Sequence, residues 1–310
     1  MTAALRAALA DYLALRRSLG YGLMRDEKLL NQYLDWLDDH DRDEITVADA
    51  LAWVRLPEAA SASWLRMRMR VVRGFAGYLH TVDPSHEVPP PGLVPGRVDR
   101  AVPYLYCDTE IAALITAADQ LSTPLRRATI ATLIGLLAVT GMRLGEVIGL
   151  DDTDFDPEQG LLTVRHAKLG KHRLLPLHSS AVNAVTAYRR LRDDTFPQPV
   201  SPALLVSQTG TRLLHFNVGQ TFARLARQAG LAPRSPRCRP RPHDLRHTFA
   251  VNTLLDWYRD GGDVAARLPL LSTYLGHVAP ANTYWYLEAA PELLAQAVDR
   301  LETRAQDGRR

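Results

Sequence analysis

Apolar side chains recur every three or four positions between residues 4 and 80, the spacing of amphipathic helices, so this region reads as helical throughout. Leu5, Ala8, Leu13 and Leu15 open the pattern, and Leu29, Leu30, Tyr33, Leu34 and Leu37 continue it. Thr46 followed by Asp49 forms a capping arrangement ahead of a third helix, Val47 to Val54. A fourth helix runs from about Ser61 to Leu79, with Leu65, Met69, Val72, Ala76 and Leu79 on one stripe. Arg66, Arg70 and Arg73 make a second stripe at i, i+4 and i+7. That stripe is either a solvated face or a track along a phosphate backbone.

The periodicity stops at Asp83. From there to Pro103 the chain carries Pro84, Pro89, Pro90, Pro91 and Pro95, with Gly92 and Gly96. Proline fixes φ and removes donors, so an extended linker is expected at 83–103. It separates a helical domain, 1–82, from a larger one, 104–301, with a disordered tail expected at 302–310. In the larger domain Thr109 is expected to cap a helix from Glu110 to Ala118, and Leu125 to Leu137 is a long apolar helix. Leu161 to Arg165 and Arg173 to Leu177 flank the turn Lys168–Leu169–Gly170–Lys171 and read as a β-hairpin. Beyond Ser179 the pattern is helical again. At Pro291 to Leu301, Leu293, Leu294, Ala297, Val298 and Leu301 share one helical face. The fold expected is mainly α, with a small β-hairpin in the C-terminal domain.

Composition narrows the class. The 310 residues are 46% hydrophobic and 23% charged, as in globular proteins. No apolar run reaches the roughly 18 residues that a membrane span needs. The N-terminus lacks the unbroken apolar centre of a secretory signal. The two cysteines, Cys107 and Cys238, lie far apart, which fits a reducing cytoplasm better than a disulfide framework. The net charge of +3 is unevenly spread: residues 1–95 hold 11 Lys and Arg against 13 Asp and Glu. The second part is therefore basic, and the better candidate to face an anionic polymer.

Five segments hold polar residues that sit oddly in their surroundings. In TGMRLGEVIGL, residues 140–150, Arg143 follows a helix break and Glu146 lies one turn on, placed either to orient it or to form a surface pair. At the hairpin tip, Lys168 and Lys171 are either proton donors to a substrate or solvated turn residues. In RPHDLRHTFA, residues 241–250, Pro242 is a natural first helical residue, and His243 and Arg246 share a face. Arg237, Arg239 and Arg241 add positive charge in front of them. His243 and His247 also have zinc-binding spacing, but Asp244 stands where a metalloprotease has glutamate and no third ligand is obvious. His277 follows Gly276 at a helix end, and Tyr284 and Tyr286 lie in ANTYWYLEAAPELL, residues 281–294. Taken together, arginines to neutralise phosphate oxygens, a tyrosine to attack and a proton donor for the leaving oxygen make the inventory of phosphoryl transfer.

Order and spacing make this set recognisable. Arg143 with Glu146 in TGMRLGE, the hairpin Lys168, His243 with Arg246, Leu275–Gly276–His277, and Tyr286 nine residues later resemble the tyrosine recombinases, or phage integrase family. The motifs cover residues 105–290; Trp285 and Pro291 are reminiscent of mobile-element integrases. The resemblance implies a two-domain DNA clamp, a helical core-binding domain plus a catalytic domain, acting as a tetramer on paired duplex sites with possible accessory proteins. It implies catalysis by Arg143, Lys168, His243, Arg246, His277 and the nucleophile Tyr286, with Glu146 in support and no metal, cofactor or ATP. Arg66, Arg70, Arg73, Lys171 and Arg241 are the candidate DNA contacts. A type IB topoisomerase and a non-catalytic DNA-binding protein are the alternatives.

Overall fold

The computed structural model describes residues 3–95, 101–165 and 172–276. The chain divides into two compact units between Arg100 and Ala101. The expected tail at 302–310 and the amphipathic segment 291–301 lie outside the described residues.

Among the described residues the first unit has four helices: α1 (Ala3–Ser18), α2 (Met24–Asp39), α3 (Val47–Arg55) and α4 (Ala62–Val82). Their apolar stripes meet in one core, in which Leu30, Tyr33, Leu34, Val72 and Phe75 are fully enclosed. Thr46 caps α3, accepting from the Asp49 amide at 3.0 Å, and Ser61 caps α4 from the Trp64 amide at 3.3 Å; each such cap is worth about 1 kcal/mol.

The proline-rich stretch is fastened to this unit over its first part. The Glu87 amide donates to the Ile45 carbonyl at 2.8 Å, and the Glu87 carboxylate accepts from the Val47 amide at 2.7 Å. Val94 is buried in the first core. The arginine stripe takes part. Arg73 donates to the Pro89 carbonyl (2.7 Å) and the Pro90 carbonyl (2.9 Å), Arg66 reaches the Val94 carbonyl (3.5 Å), and Arg70 pairs with Asp26 (3.3 Å). The side chains read as a possible phosphate track therefore have protein partners. The physical reason is that a segment rich in proline has few amides of its own, so its carbonyls take guanidinium donors. Arg68, absent from that stripe, is the buried one: it lies 3.6 Å over the Trp53 ring and donates to the Trp53 carbonyl at 2.7 Å.

The second unit centres on α6 (Pro124–Thr140), which packs against α5 (Asp108–Ala118), α8 (Ser179–Thr195) and α10 (Pro242–Arg259). Its core joins Leu133, Ile134 and Leu137 of α6 to Leu114, Leu162, Leu175, Leu225 and Leu245. The helix α5 begins two residues earlier than expected. Cys107, not Thr109, is at the N-cap, because the Glu110 carboxylate takes the otherwise orphan Cys107 amide at 2.9 Å. The hairpin strands are β2 (Leu161–Val164) and β3 (Arg173–Pro176), antiparallel, with Leu162 opposite Leu175 and Val164 opposite Arg173. A two-residue strand, β1 (Phe155–Asp156), completes the sheet in the order β1-β2-β3; it is too short to leave a periodicity in the sequence. The turn with Lys168 and Lys171 lies outside the described residues. Among the described residues the unit also has α7 (Leu144–Gly149), α9 (His215–Gln228) and α11 (Val264–Leu275), and α11 packs on α10 through Leu254, Leu268 and Leu271. No described helix is long and apolar enough to cross a membrane.

Candidate functional site

Three helix ends meet at one place in the second unit. The first is the break between α6 and α7. Gly141 closes α6 in the left-handed region (φ 59°), with its amide bonded back to the Leu137 carbonyl. The chain turns sharply, Met142 is buried, and Arg143 becomes the N-cap of α7. Glu146 holds that turn: its Oε2 accepts from the Arg143 amide at 2.8 Å, and its Oε1 from Arg143 Nη1 at 2.8 Å. This is the orienting contact expected from the i, i+3 spacing.

The second is the N-terminus of α10. Pro242 is the first helical residue, and Arg241 in front of it donates to the buried Asp244 carboxylate at 2.9 and 2.7 Å. Arg241, a candidate DNA contact, is thus engaged in clamping the start of its own helix. His243 and Arg246 follow one turn apart. Arg246 is only 1% exposed, and its guanidinium bridges two backbone carbonyls, Gly141 through Nη1 and Leu275 through Nη2, each at 2.7 Å.

The third is the C-terminus of α11, which Gly276 ends at φ 67°. Its last carbonyls face the site. Arg143 Nη2 donates to the Gly276 carbonyl at 3.1 Å, next to the Leu275 carbonyl that holds Arg246. Guanidinium groups suit a helix C-terminus, where the macrodipole and unpaired carbonyls are negative. His277, Tyr284 and Tyr286 follow directly and lie outside the described residues.

The electrostatics are those of an anion site with a neutral imidazole. Desolvation by packed neighbours, and then the charges of Arg246, Arg241 and Arg143, push the His243 imidazole down to about 4. His243 is nevertheless exposed to solvent, which weakens desolvation as a cause and leaves the three guanidinium charges as the firmer one. Neutral His243 is an acceptor at pH 7. Between pH 6.5 and about 4 the unfolded chain takes up a proton that the folded site refuses, so stability falls as pH falls through that window. Melting followed from pH 7 to pH 4 is expected to show a shallower decline for His243→Gln than for the unaltered protein; equal slopes would contradict this assignment. Glu146 is opposite in character. Burial acts upward on its carboxyl but is outweighed by the bonds from Arg173, the Arg143 amide and both positive charges, which hold it at about 2.

Arg173 was absent from the candidate set. It opens β3 and donates to Glu146 at 2.7 and 3.2 Å. The signal was a charged residue at the head of the otherwise apolar RLLPL run, which periodicity treats as a strand edge. The His243 and His247 rings meet edge to face with centroids 4.8 Å apart, and among the described residues no three metal-ligating side chains cluster. Arg143, His243, Arg246 and Glu146 are thus brought together from the sequence candidates, while Lys168, Lys171, His277 and Tyr286 fall outside the described residues.

Comparison with known proteins identifies the family. The model of the phage integrase family matches residues 107–292. The integrase/recombinase y4rB of Sinorhizobium fredii is 42% identical over 308 residues, covering 97% of this chain and 98% of its own length. Tyrosine recombinase XerD of Caulobacter vibrioides is 32% identical over 268 residues, with 84% and 82% covered. Among solved structures, a lambda integrase tetramer bound to a Holliday junction shares the fold at a TM-score of 0.58 and 17% identity, covering 91% of this chain and 76% of that one. The chain belongs to the phage integrase family and is a site-specific DNA recombinase of the tyrosine type.

Proposed function

We propose that this recombinase cuts and rejoins duplex DNA through a 3′-phosphotyrosyl intermediate on Tyr286. The observation that carries the reading is the convergence of Arg143 and Arg246 on the end of α11, directly before His277, with His243 in the field of both guanidinium groups. In the reaction Tyr286 Oη bonds to the scissile phosphorus and the bond to the 5′ oxygen breaks. Arg143, Arg246 and His277 hold the non-bridging oxygens as charge builds on them. Neutral His243 takes the tyrosine proton, and the Lys168 ammonium supplies one to the leaving 5′ oxygen. Tyrosine ionises near pH 10 in water, and the two guanidinium charges favour its anion. One phosphodiester is exchanged for another, so no ATP is consumed, and the positive side chains supply the stabilisation that a metal gives elsewhere. Resealing reverses these roles with a new 5′ hydroxyl.

The partners are double-stranded DNA and further copies of this chain. Four protomers on two paired sites fit the assembly of lambda integrase on a Holliday junction. The segment 291–301 is the proposed element that docks on a neighbouring protomer. A type IB topoisomerase would use the same residues alone and would only relax supercoils, so paired-site joining separates the two.

A nicked duplex from which the cut fragment diffuses away traps the intermediate. Tyr286→Phe is expected to give no adduct while binding the site within about threefold of the unaltered protein, since one hydroxyl is removed and nothing else. Tyr284→Phe is expected to cleave. A reversed pair of results would move the nucleophile to Tyr284.

A further inference from the structure

The hairpin that carries Lys168 is held at its base by two arginines. Arg165, just after β2, pairs through Nε with the buried Asp154. Arg173, at the head of β3 and opposite Val164, pairs with Glu146 through both terminal nitrogens, Nη2 to Oε2 at 2.7 Å and Nη1 to Oε1 at 3.2 Å. Glu146 is also the carboxylate that orients Arg143. One carboxylate, 7% exposed, is therefore shared by two guanidinium groups from different elements.

The two arginines differ in what they face. The Arg143 side chain is 39% exposed, whereas that of Arg173 is 11% exposed. Arg173 also packs under the end of α11: a Cβ built on Gly276 would come within 2.8 Å of its Nη1. Its Nε is buried without a partner among the described residues, a cost that a simple surface pair would not carry. Arg173 thus touches the orienter of Arg143, the strand leading to Lys168, and the turn leading to His277.

We infer that Arg173 is a positioning residue for strand cleavage: through Glu146 it fixes the plane of the Arg143 guanidinium and locks that plane to the lysine-bearing hairpin. The inference rests on the proposed phosphotyrosyl chemistry. The competing role is plain neutralisation of a buried carboxylate. Lysine separates the two, because an ammonium neutralises Glu146 but has no planar fork to fix its orientation.

The test is single-turnover cleavage of a nicked duplex at saturating DNA, with site affinity and melting measured alongside. Arg173→Lys is expected to melt and bind DNA like the unaltered protein but to cleave about tenfold more slowly, and Arg173→Met about a hundredfold more slowly, as misplacement of a catalytic group costs. In a Glu146→Gln background, Arg173→Met is expected to cost less than about threefold further, since the two act as a unit. Arg173→Lys retains the charge, so it carries the test if Arg173→Met fails to fold. Cleavage by Arg173→Lys at the unaltered rate overturns the inference, as does a loss that lies wholly in DNA affinity. If the unaltered protein forms no adduct, the proposed function itself falls, and this inference with it.

Discussion

Arg246→Ala is expected to remove strand cleavage, by about a thousandfold or more, and to destabilise the catalytic unit by about 2–4 kcal/mol. The two losses have separate causes. Chemically, a guanidinium proposed to hold a phosphate oxygen is gone. Structurally, the Gly141 and Leu275 carbonyls each lose a 2.7 Å donor in a place that water does not reach. Those carbonyls end α6 and α11, so Arg246 is the tie that holds two helix ends at the site. Arg246→Lys retains the charge but cannot bridge both carbonyls, and it is expected to recover stability more than cleavage. Thermal melting and single-turnover cleavage read the two effects separately. An alanine variant that melts like the unaltered protein would remove Arg246 from the structural role.

Gly141→Ala is expected to act through the backbone. A non-glycine residue at φ 59° costs about 1–2 kcal/mol. The added Cβ would also stand 2.5 Å from the Phe249 ring and 3.0 Å from Leu275, an overpacking that costs about 1–3 kcal/mol. A loss of about 2–5 kcal/mol should lower the melting temperature by roughly 5–20 °C for a unit of this size. Relief of the clash would move the Gly141 carbonyl, the anchor of Arg246, and the peptide that leads to Arg143. Cleavage measured well below the melting point is therefore expected to fall about a hundredfold. Phe249→Leu in the same background should recover part of the stability by making room. A Gly141→Ala variant with unchanged melting would contradict the geometry at this break.

Much of this was legible in the chain. The cap at Thr46, the helix start at Pro242, the break at Thr140–Gly141 and both hairpin legs follow from local chemistry, so residues close in sequence suffice to read them. The grouping of Arg143, Glu146, His243 and Arg246 was legible only as a set, since each segment alone has an ordinary surface reading. Partners distant in sequence were not legible. The stripe of Arg66, Arg70 and Arg73 has the spacing of a phosphate track, yet two of its members turn to carbonyls of the proline-rich stretch. Arg68 gives no periodic signal as a core residue, because its burial depends on the Trp53 ring beneath it. Arg173 was missed for the same reason. Alternation along β3 assigns a side of the strand, but Glu146, 27 residues away, decides what the side chain does.

The central claim is that Tyr286 becomes covalently bound to DNA. Its most direct test is to trap the protein on nicked duplexes drawn from the DNA that flanks its gene, digest the denaturant-stable adduct, and identify the nucleotide-bearing peptide by mass. The account predicts a single adduct on Tyr286, through the 3′ phosphate. An adduct on any other residue, or a 5′ linkage, would contradict it.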